Sequence, residues 1–568
     1  MKKIALTTIL SLAGAGFAFS QSAIDAYRLS QPDLKGTARF MSMAGAFGAL
    51  GGDLSSISYN PAGIGVYRSS DIGFTLDLDL QDATSEAFGF KQGKDQTKFL
   101  LNNIGAVFTL KLPNETCPNF NFGFTYNKGV SFNRVYQGNI SRLNNSLSNY
   151  IAGIANYNEL TVGDVTTTSN YDPYNPGYND YVSPWIAILG YDGYLINPIE
   201  SKNNTEWYGQ WGEGTSGDGS FLVEEKGGLN EYNISFGGNI KDVLFWGMNF
   251  DIINLNYSLN ALWSENLNNA YLLDRNNNFV QQSARWDLDN IYNVTGTGFN
   301  YQIGVIFKPI QELRLGVAFH TPTWYKLTES YGANLTYSYN GGKRTTISTN
   351  DGVYGYNDVD FRSPMKLIAS AAGVIGSNFI ISFDYEWVPY NKMKYSVPTS
   401  YGYSGWYDDP WDWSYPYWKP ESPSTKAFPS STNSYDPYAQ TNNDIATYYQ
   451  HTNTFRIGAE FRITPFFSLR AGYSTVSSPV KSEVKNDNVE IATSGTLPNY
   501  RFDNETNYIT GGLGWRYDHF YMDLAYVYKH MSSTYHAYTP DPSSDIHSPQ
   551  SKLSFSNNQI VLTAGFRF

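Results

Sequence analysis

The chain holds one cysteine, Cys117, in 568 residues, so no internal disulfide holds its fold. Charge is sparse, at 16% of residues, and tilts acidic, with 51 Asp+Glu against 39 Lys+Arg. Nucleic acid is thereby excluded as a partner, because its recognition needs a basic face. Histidine is equally scarce. His320, His451, His519, His530, His536 and His547 show no metal-ligand spacing. No Gly-x-Ser-x-Gly motif points to a hydrolase. Neither an enzyme nor a bound metal or other cofactor is expected. After residue 20 no apolar run reaches the roughly 18 residues that a membrane helix needs. What is abundant is aromatic and small: 46 Tyr, 34 Phe, 13 Trp and 51 Gly. Aromatic girdles on alternating strands produce that mixture.

The N-terminus reads as a secretory signal over residues 1–20. Lys2 and Lys3 precede the apolar stretch Ile4 to Phe17, and Ala18-Phe19-Ser20 is a small-x-small cleavage site. Export then starts the mature chain at Gln21.

Strict alternation of apolar and polar residues marks strands with two unlike faces. Ile72, Phe74, Leu76, Leu78 and Leu80 alternate with Gly73, Thr75, Asp77 and Asp79. The same pattern predicts strands near 72–80, 104–112, 120–130, 230–240, 244–258, 297–308, 313–321, 363–374, 378–388, 452–463, 466–475, 506–517, 519–530 and 557–568. That is an even set of fourteen, most of them about 9–12 residues long, as single-chain outer-membrane barrels use. Short connections such as Lys241-Asp242-Val243 and Asp518 alternate with long ones such as 131–229, 259–296 and 389–451. Short periplasmic turns and long external loops have this order, which places both termini in the periplasm. The predicted fold is an all-β transmembrane barrel over residues 71–568 of a Gram-negative outer membrane. Its surroundings are membrane lipid and the barrel-assembly machinery, and a monomer is expected. The chain closes on a strand with Phe566 and Phe568, which resembles the terminal assembly signal of outer-membrane proteins.

Residues 21–70 do not alternate. Gly36–Gly52 is small and mildly apolar, followed by Asp53 and the turn Asn60-Pro61-Ala62-Gly63. A barrel of fourteen strands is wider than its own side chains fill, so the lumen is the economical place for this segment. On the inward faces glycine recurs at Gly105, Gly123, Gly237, Gly247, Gly304, Gly316, Gly458, Gly472, Gly512, Gly514 and Gly565. These positions leave room for an internal segment or a ligand passage, or they only set curvature.

Three stretches together are similar to the long-chain fatty acid transporter family, FadL and the toluene transporters. The first is Gly36, Ala44-Gly45-Ala46, Asp53 and Asn60-Pro61-Ala62-Gly63. The second is Leu469-Arg470-Ala471-Gly472-Tyr473 with Ser478-Pro479-Val480, Leu497-Pro498-Asn499 and Arg501. The third is Asp384-Tyr385-Glu386-Trp387. The resemblance implies a passive channel for hydrophobic small molecules, occluded by residues 21–70 acting as a hatch with Asp53, Asn60, Pro61, Ala62 and Gly63 at its gate, and with a sideways exit into the membrane.

The long loops depart from the family, and Tyr401–Pro420 is the most aromatic stretch of the chain. Trp406 and Trp411 there are expectations for ligand capture, beside the plainer reading that such aromatics pack on one another. A carboxylate ligand calls for an arginine fork, and Arg470 and Arg516 are the expected partners. Two further readings stay open: a surface binding protein or haem receptor working through aromatic loops, and a general porin.

Overall fold

Fourteen antiparallel strands close on themselves in the computed structural model, which describes residues 22–166, 184–199, 205–273, 278–376, 378–398, 436–486, 489, 491–493, 495–539 and 548–568. The expected signal peptide, Trp406 and Trp411 lie outside the described residues. The strands of the ring are β1 Asp71–Ala87, β2 Phe90–Lys111, β3 Asn119–Ser131, β4 Ser216–Ile240, β5 Leu244–Leu273, β6 Phe279–Phe307 and β7 Leu313–His320. They continue as β8 Lys366–Ile375, β9 Phe379–Pro389, β10 His451–Arg462, β11 Phe467–Val476, β12 Tyr500–Tyr517, β13 Phe520–His536 and β14 Gln550–Arg567. Each pairs with the next, and β14 pairs with β1 from Lys552↔Glu86 to Arg567↔Asp71. Beyond the last strand residue, Phe568 and Ser70 exchange two backbone hydrogen bonds of 2.9 and 3.0 Å. Closure gives each of the fourteen strands a neighbour on both sides, which hydrocarbon requires.

The strand count matches the sequence reading, but the lengths do not. β4, β5 and β6 run 25, 30 and 29 residues, and the expected 259–296 connection is mostly strand. The reason is an inversion of the hydrophobic phase. Along β5 the outward residues are Leu244, Trp246, Met248, Phe250 and Ile252, then Asn254, Asn256, Ser258 and Asn260. The inward ones are Asn249 and Asp251, then Ile253, Leu255, Tyr257, Leu259 and Trp263. β6 switches at the same height, from outward Phe299, Tyr301, Ile303, Val305 and Phe307 to Thr297, Thr295 and Asn293. Nine residues at about 3.3 Å each, tilted by roughly 45°, rise about 20 Å, close to the ~25 Å apolar band of such barrels. Beyond that band the outside is water. An outward leucine there would forfeit about 1.5–3 kcal/mol of burial, so the apolar residues turn inward. A template requiring an outward apolar stripe stops reading at the inversion.

The upper, long-loop half therefore has its own apolar core, containing Trp185, Trp263, Trp286 and Tyr257. It is filled by the helices Ala23–Ser30, Leu147–Tyr157, Trp185–Asp192 and Ala439–Tyr448. Tyr27 of the first helix stacks on Tyr449 at 5.4 Å and meets Tyr390 edge-on at 5.2 Å. The first described helix thus sits in the long-loop half, whereas Phe568 ends at the short-turn end. The two described ends, Ser22 and Phe568, lie at opposite ends of the barrel. The chain runs down the lumen between Gln31 and Val66 before entering β1.

Two irregularities shape the wall. β3 bulges at Gly129, where its register with β4 shifts between Lys128 and Val130. β7 stops at His320, opposite Gln302, and pairing to β6 resumes with Trp324 opposite Phe299 on the added strand Trp324–Tyr339. The gap is Thr321-Pro322-Thr323, and across it Ser363-Pro364-Met365 precedes β8. Proline donates no ladder hydrogen bond. The seam is instead stitched by Thr323 N donating to Ser363 Oγ at 2.9 Å and Ser363 N donating to Thr323 O at 3.0 Å.

Candidate functional site

The site is the contact between residues 31–66 and the inward faces of the strands. A three-residue stretch such as Asn60-Pro61-Ala62 carries little information alone, but here it is locally determined. Asn60 caps the short 3₁₀ helix Pro61–Val66, accepting from Ala62 N at 3.1 Å, with Pro61 at the first helical position. The Asn60 amide then donates to Gly48 O at 2.5 Å, and Gly48 N donates to Asp384 Oδ2 at 2.9 Å. The backbone N–H and C=O of one glycine thereby join the first and third resemblance stretches. The second stretch reaches the same segment through charge. Arg470 donates to Glu460 Oε2 at 2.8 Å and Asp523 Oδ1 at 2.6 Å, and Arg39 donates to Glu460 Oε2 at 3.0 Å. Asp53 works inside the segment, accepting from Thr37 Oγ1 at 2.7 Å and Ser55 N at 2.9 Å.

The inward glycines divide cleanly. At Gly237, Gly247 and Gly304 a Cβ would overlap Ile64, Pro61 and Asn60 respectively. At Gly316 it would overlap Gly48, at Gly458 it would lie 2.6 Å from Met43 O, and at Gly512 2.6 Å from Ser42 Cβ. Gly472 approaches Met43 and Ala44, and Gly123 touches Ile64. These eight admit the N-terminal segment against β3–β7 and β10–β12. The remaining three do not: Gly105, Gly514 and Gly565 make room for Thr125, Arg470 and Tyr521.

Lysines complete the seating. Lys35 Nζ is buried 2.7 Å from Asp77 Oδ2, 3.0 Å from Gln559 and 3.5 Å from Asp79. Asp33 pairs with Lys529 at 2.8 Å. Above them Arg28, Arg134 and Arg501 meet Asp25, Glu225 and Asp503, with Arg28 Nη1 2.5 Å from Asp25 and Arg501 Nε 3.2 Å from Asp503. Breaking one partner of a buried pair costs about 3–5 kcal/mol, so this segment is held by groups whose separation is expensive.

Between the segment and the wall lies a cavity of about 160 Å³, bordered by Tyr59, Asn127, Gln302, Thr323, Pro364, Lys366 and Arg456. That is room for about five waters. Arg456 is engaged by Glu386 at 3.1 Å and by the Tyr59 hydroxyl. Lys366 forms no ion pair among the described residues. Neither expected arginine borders the cavity. Arg470 has its donors committed to Glu460 and Asp523, and Arg516 is exposed near the short-turn mouth. Sequence reasoning passed over Lys366 because a lysine just before an apolar strand carries no local signal of facing a cavity. At the chain end Phe566 packs on Phe520 with ring centroids 4.8 Å apart and on Phe568 at 5.9 Å.

Glu265, some thirteen residues past the apolar band on β5, organises the upper core. It accepts from Leu147 N at 2.9 Å, Ser146 Oγ at 2.6 Å and Trp263 Nε1 at 2.9 Å. Burial pushes its carboxyl up to about 7, against the lowering effect of those three donors.

No protein-family model and no curated protein matches the chain. Among solved structures, a FadL homologue from Pseudomonas aeruginosa aligns with a TM-score of 0.50 and 12% identity, covering 95% of this chain and 100% of that one. The toluene transporter TodX of P. putida aligns at 0.45 and 12%, covering 94% and 99%, and TbuX of Ralstonia pickettii at 0.43 and 14%, covering 94% and 98%. At such identity the likeness to the P. aeruginosa structure speaks for architecture, and it agrees with the fourteen closed strands found here. The chain therefore has the closed β-barrel fold seen in that FadL homologue.

Proposed function

We propose that this protein is a passive outer-membrane channel for hydrophobic compounds, long-chain fatty acids or aromatic hydrocarbons, with residues 21–70 acting as its hatch. The observation that supports this most is the N-terminal segment seated in the lumen against eight strand glycines, with a remaining cavity of only about 160 Å³. A long acyl chain does not fit that space, so passage requires the segment to move. A dry route suits such cargo, because each methylene left in water costs about 0.8 kcal/mol. The pivot is the Asn60–Gly48–Asp384 chain of hydrogen bonds, with Asp53, Pro61, Ala62 and Gly63 shaping the turn. A ligand carboxylate would meet Lys366 rather than Arg470. The solved structures of similar fold include proteins described as toluene transporters and monoaromatic hydrocarbon channels, in keeping with this reading. Phe566 and Phe568 are the proposed signal to the assembly machinery.

The test is uptake of labelled oleate and labelled toluene by cells lacking their own channel for each. Uptake of either restored by the wild-type chain, and altered by Asn60→Ala at equal surface level, supports the proposal. A properly inserted barrel that carries neither, yet conducts ions steadily in a planar bilayer, would replace the reading with a general porin.

A further inference from the structure

Beside the interrupted seam, the outer surface of the barrel carries a groove of about 740 Å³ over β6 and the added strands Trp324–Tyr339, Gly355–Arg362 and Lys394–Ser396, within the size range of ligand sites. Its floor is aromatic. Phe299, Tyr301 and Trp324 point outward and are 49%, 43% and 38% exposed, with Phe299 and Trp324 ring centroids 5.3 Å apart. Its rim is cationic. One cross-strand row reads Phe299, Trp324, Arg362, Lys394, each paired to the next. The next row reads Thr297, Lys326, Asp360, Ser396.

Arg362 and Lys394 are thus directly opposite one another on adjacent strands, a placement that destabilises a sheet through like-charge repulsion. Both are exposed, and neither has an ion pair among the described residues. The one acid on these two rows, Asp360, lies opposite Lys326. The groove therefore carries a net charge of about two positive units beside three exposed rings. Its height matters as much. Phe299 is the last outward apolar residue of β6 before Thr297, so the groove straddles the boundary between hydrocarbon and water at the long-loop end. Aromatic side chains belong at that boundary, and cations there attract anionic lipid head groups.

We propose that this groove is a binding site for a phosphorylated glycolipid of the outer leaflet, with an acyl chain on Phe299, Tyr301 and Trp324 and a phosphate bridging Arg362 and Lys394. A phosphate between the two cations removes their mutual repulsion, and the guanidinium of Arg362 offers it a planar fork. The site lies outside the lumen and stands independently of what the channel carries.

The experiment is native mass spectrometry of the full chain in detergent, titrated with bisphosphorylated lipid A. Three comparisons accompany it: the same lipid stripped of its phosphates, inorganic phosphate at millimolar concentration as competitor, and the variant Arg362→Gln with Lys394→Gln. Each cation near a lipid surface contributes about fivefold in affinity. The double variant is therefore expected to bind lipid A about 25-fold more weakly, with an unchanged heat-modifiable barrel band on gels. The wild-type chain is expected to lose a comparable factor towards the dephosphorylated lipid, and inorganic phosphate is expected not to displace lipid A. Binding by the double variant within twofold of wild type overturns the proposal. Equal binding of the stripped lipid overturns it too, and displacement by inorganic phosphate would make the groove an ion site instead. Trp324→Ala separates the parts: it weakens binding of lipid A while leaving the preference for the phosphorylated form.

Discussion

Gly304 and Asn60 share one space: a Cβ on Gly304 would overlap Oδ1 of Asn60, the atom that caps the turn at Ala62. The strand wall and the N-terminal segment are therefore complementary at the level of single atoms. That complementarity can be broken from either side.

From the wall side, Gly304→Ala is expected to displace Asn60 while β6 keeps its pairing to β5 and β7. The groups left unpaired at Gly48 O and Ala62 N cost about 1–3 kcal/mol, enough to raise the displaced population about 5- to 150-fold. Limited proteolysis between residues 36 and 66 should quicken, with the heat-modifiable barrel intact. Unchanged protection of that segment would mean the glycine only relieves crowding within the sheet.

From the segment side, Asn60→Ala removes a cap worth about 0.5–2 kcal/mol and the donor to Gly48 O. Because Asn60 lies outside the strand ladder, the unfolding midpoint of the barrel should stay near wild type. Uptake of oleate or toluene should change. A parallel loss of folded barrel would show that the turn is a structural element rather than a gate.

Arg470 and Arg516 are predicted to differ sharply. Arg470→Ala leaves Glu460 and Asp523 without a shared cation in the lumen, at a cost of about 3–5 kcal/mol. Arg516→Ala removes an exposed group, and such surface changes stay within about 0.5 kcal/mol. Urea unfolding of the two variants in the same detergent compares them directly. For the cavity, Lys366→Met is expected to lower oleate uptake and spare toluene, which has no carboxylate to meet.

The upper core should loosen as pH rises. Glu265 is raised by burial from its ordinary value of 4.5 to about 7. A raised carboxyl contributes stability that is fully present below about 4.5 and is lost as pH climbs through about 7. Hydrogen-exchange protection of the helix Leu147–Tyr157, corrected for intrinsic rates, should fall between pH 5 and pH 8. Glu265→Gln should flatten that dependence.

Alternation along the chain was sufficient to determine the strand number, because each strand in hydrocarbon must show lipid an apolar face, and that is a local property of successive residues. The inward glycines were likewise legible: they mark close approach wherever they recur on one face, and eight of eleven prove to face the N-terminal segment. The full length of β4, β5 and β6 was also written in the residues, but in an inverted phase that only makes sense once the outer boundary of the membrane is located between Ile252 and Asn254. What the tertiary structure alone decided is which distant groups meet. Arg470 is spoken for by Glu460 and Asp523, Gly48 links Asn60 to Asp384, Lys366 faces the cavity, and Pro322 and Pro364 face each other across a seam. These pairings follow from cross-strand register and from the seating of the N-terminal segment, which bring together residues from 10 to 336 positions apart, and alternation along a single strand carries no record of them.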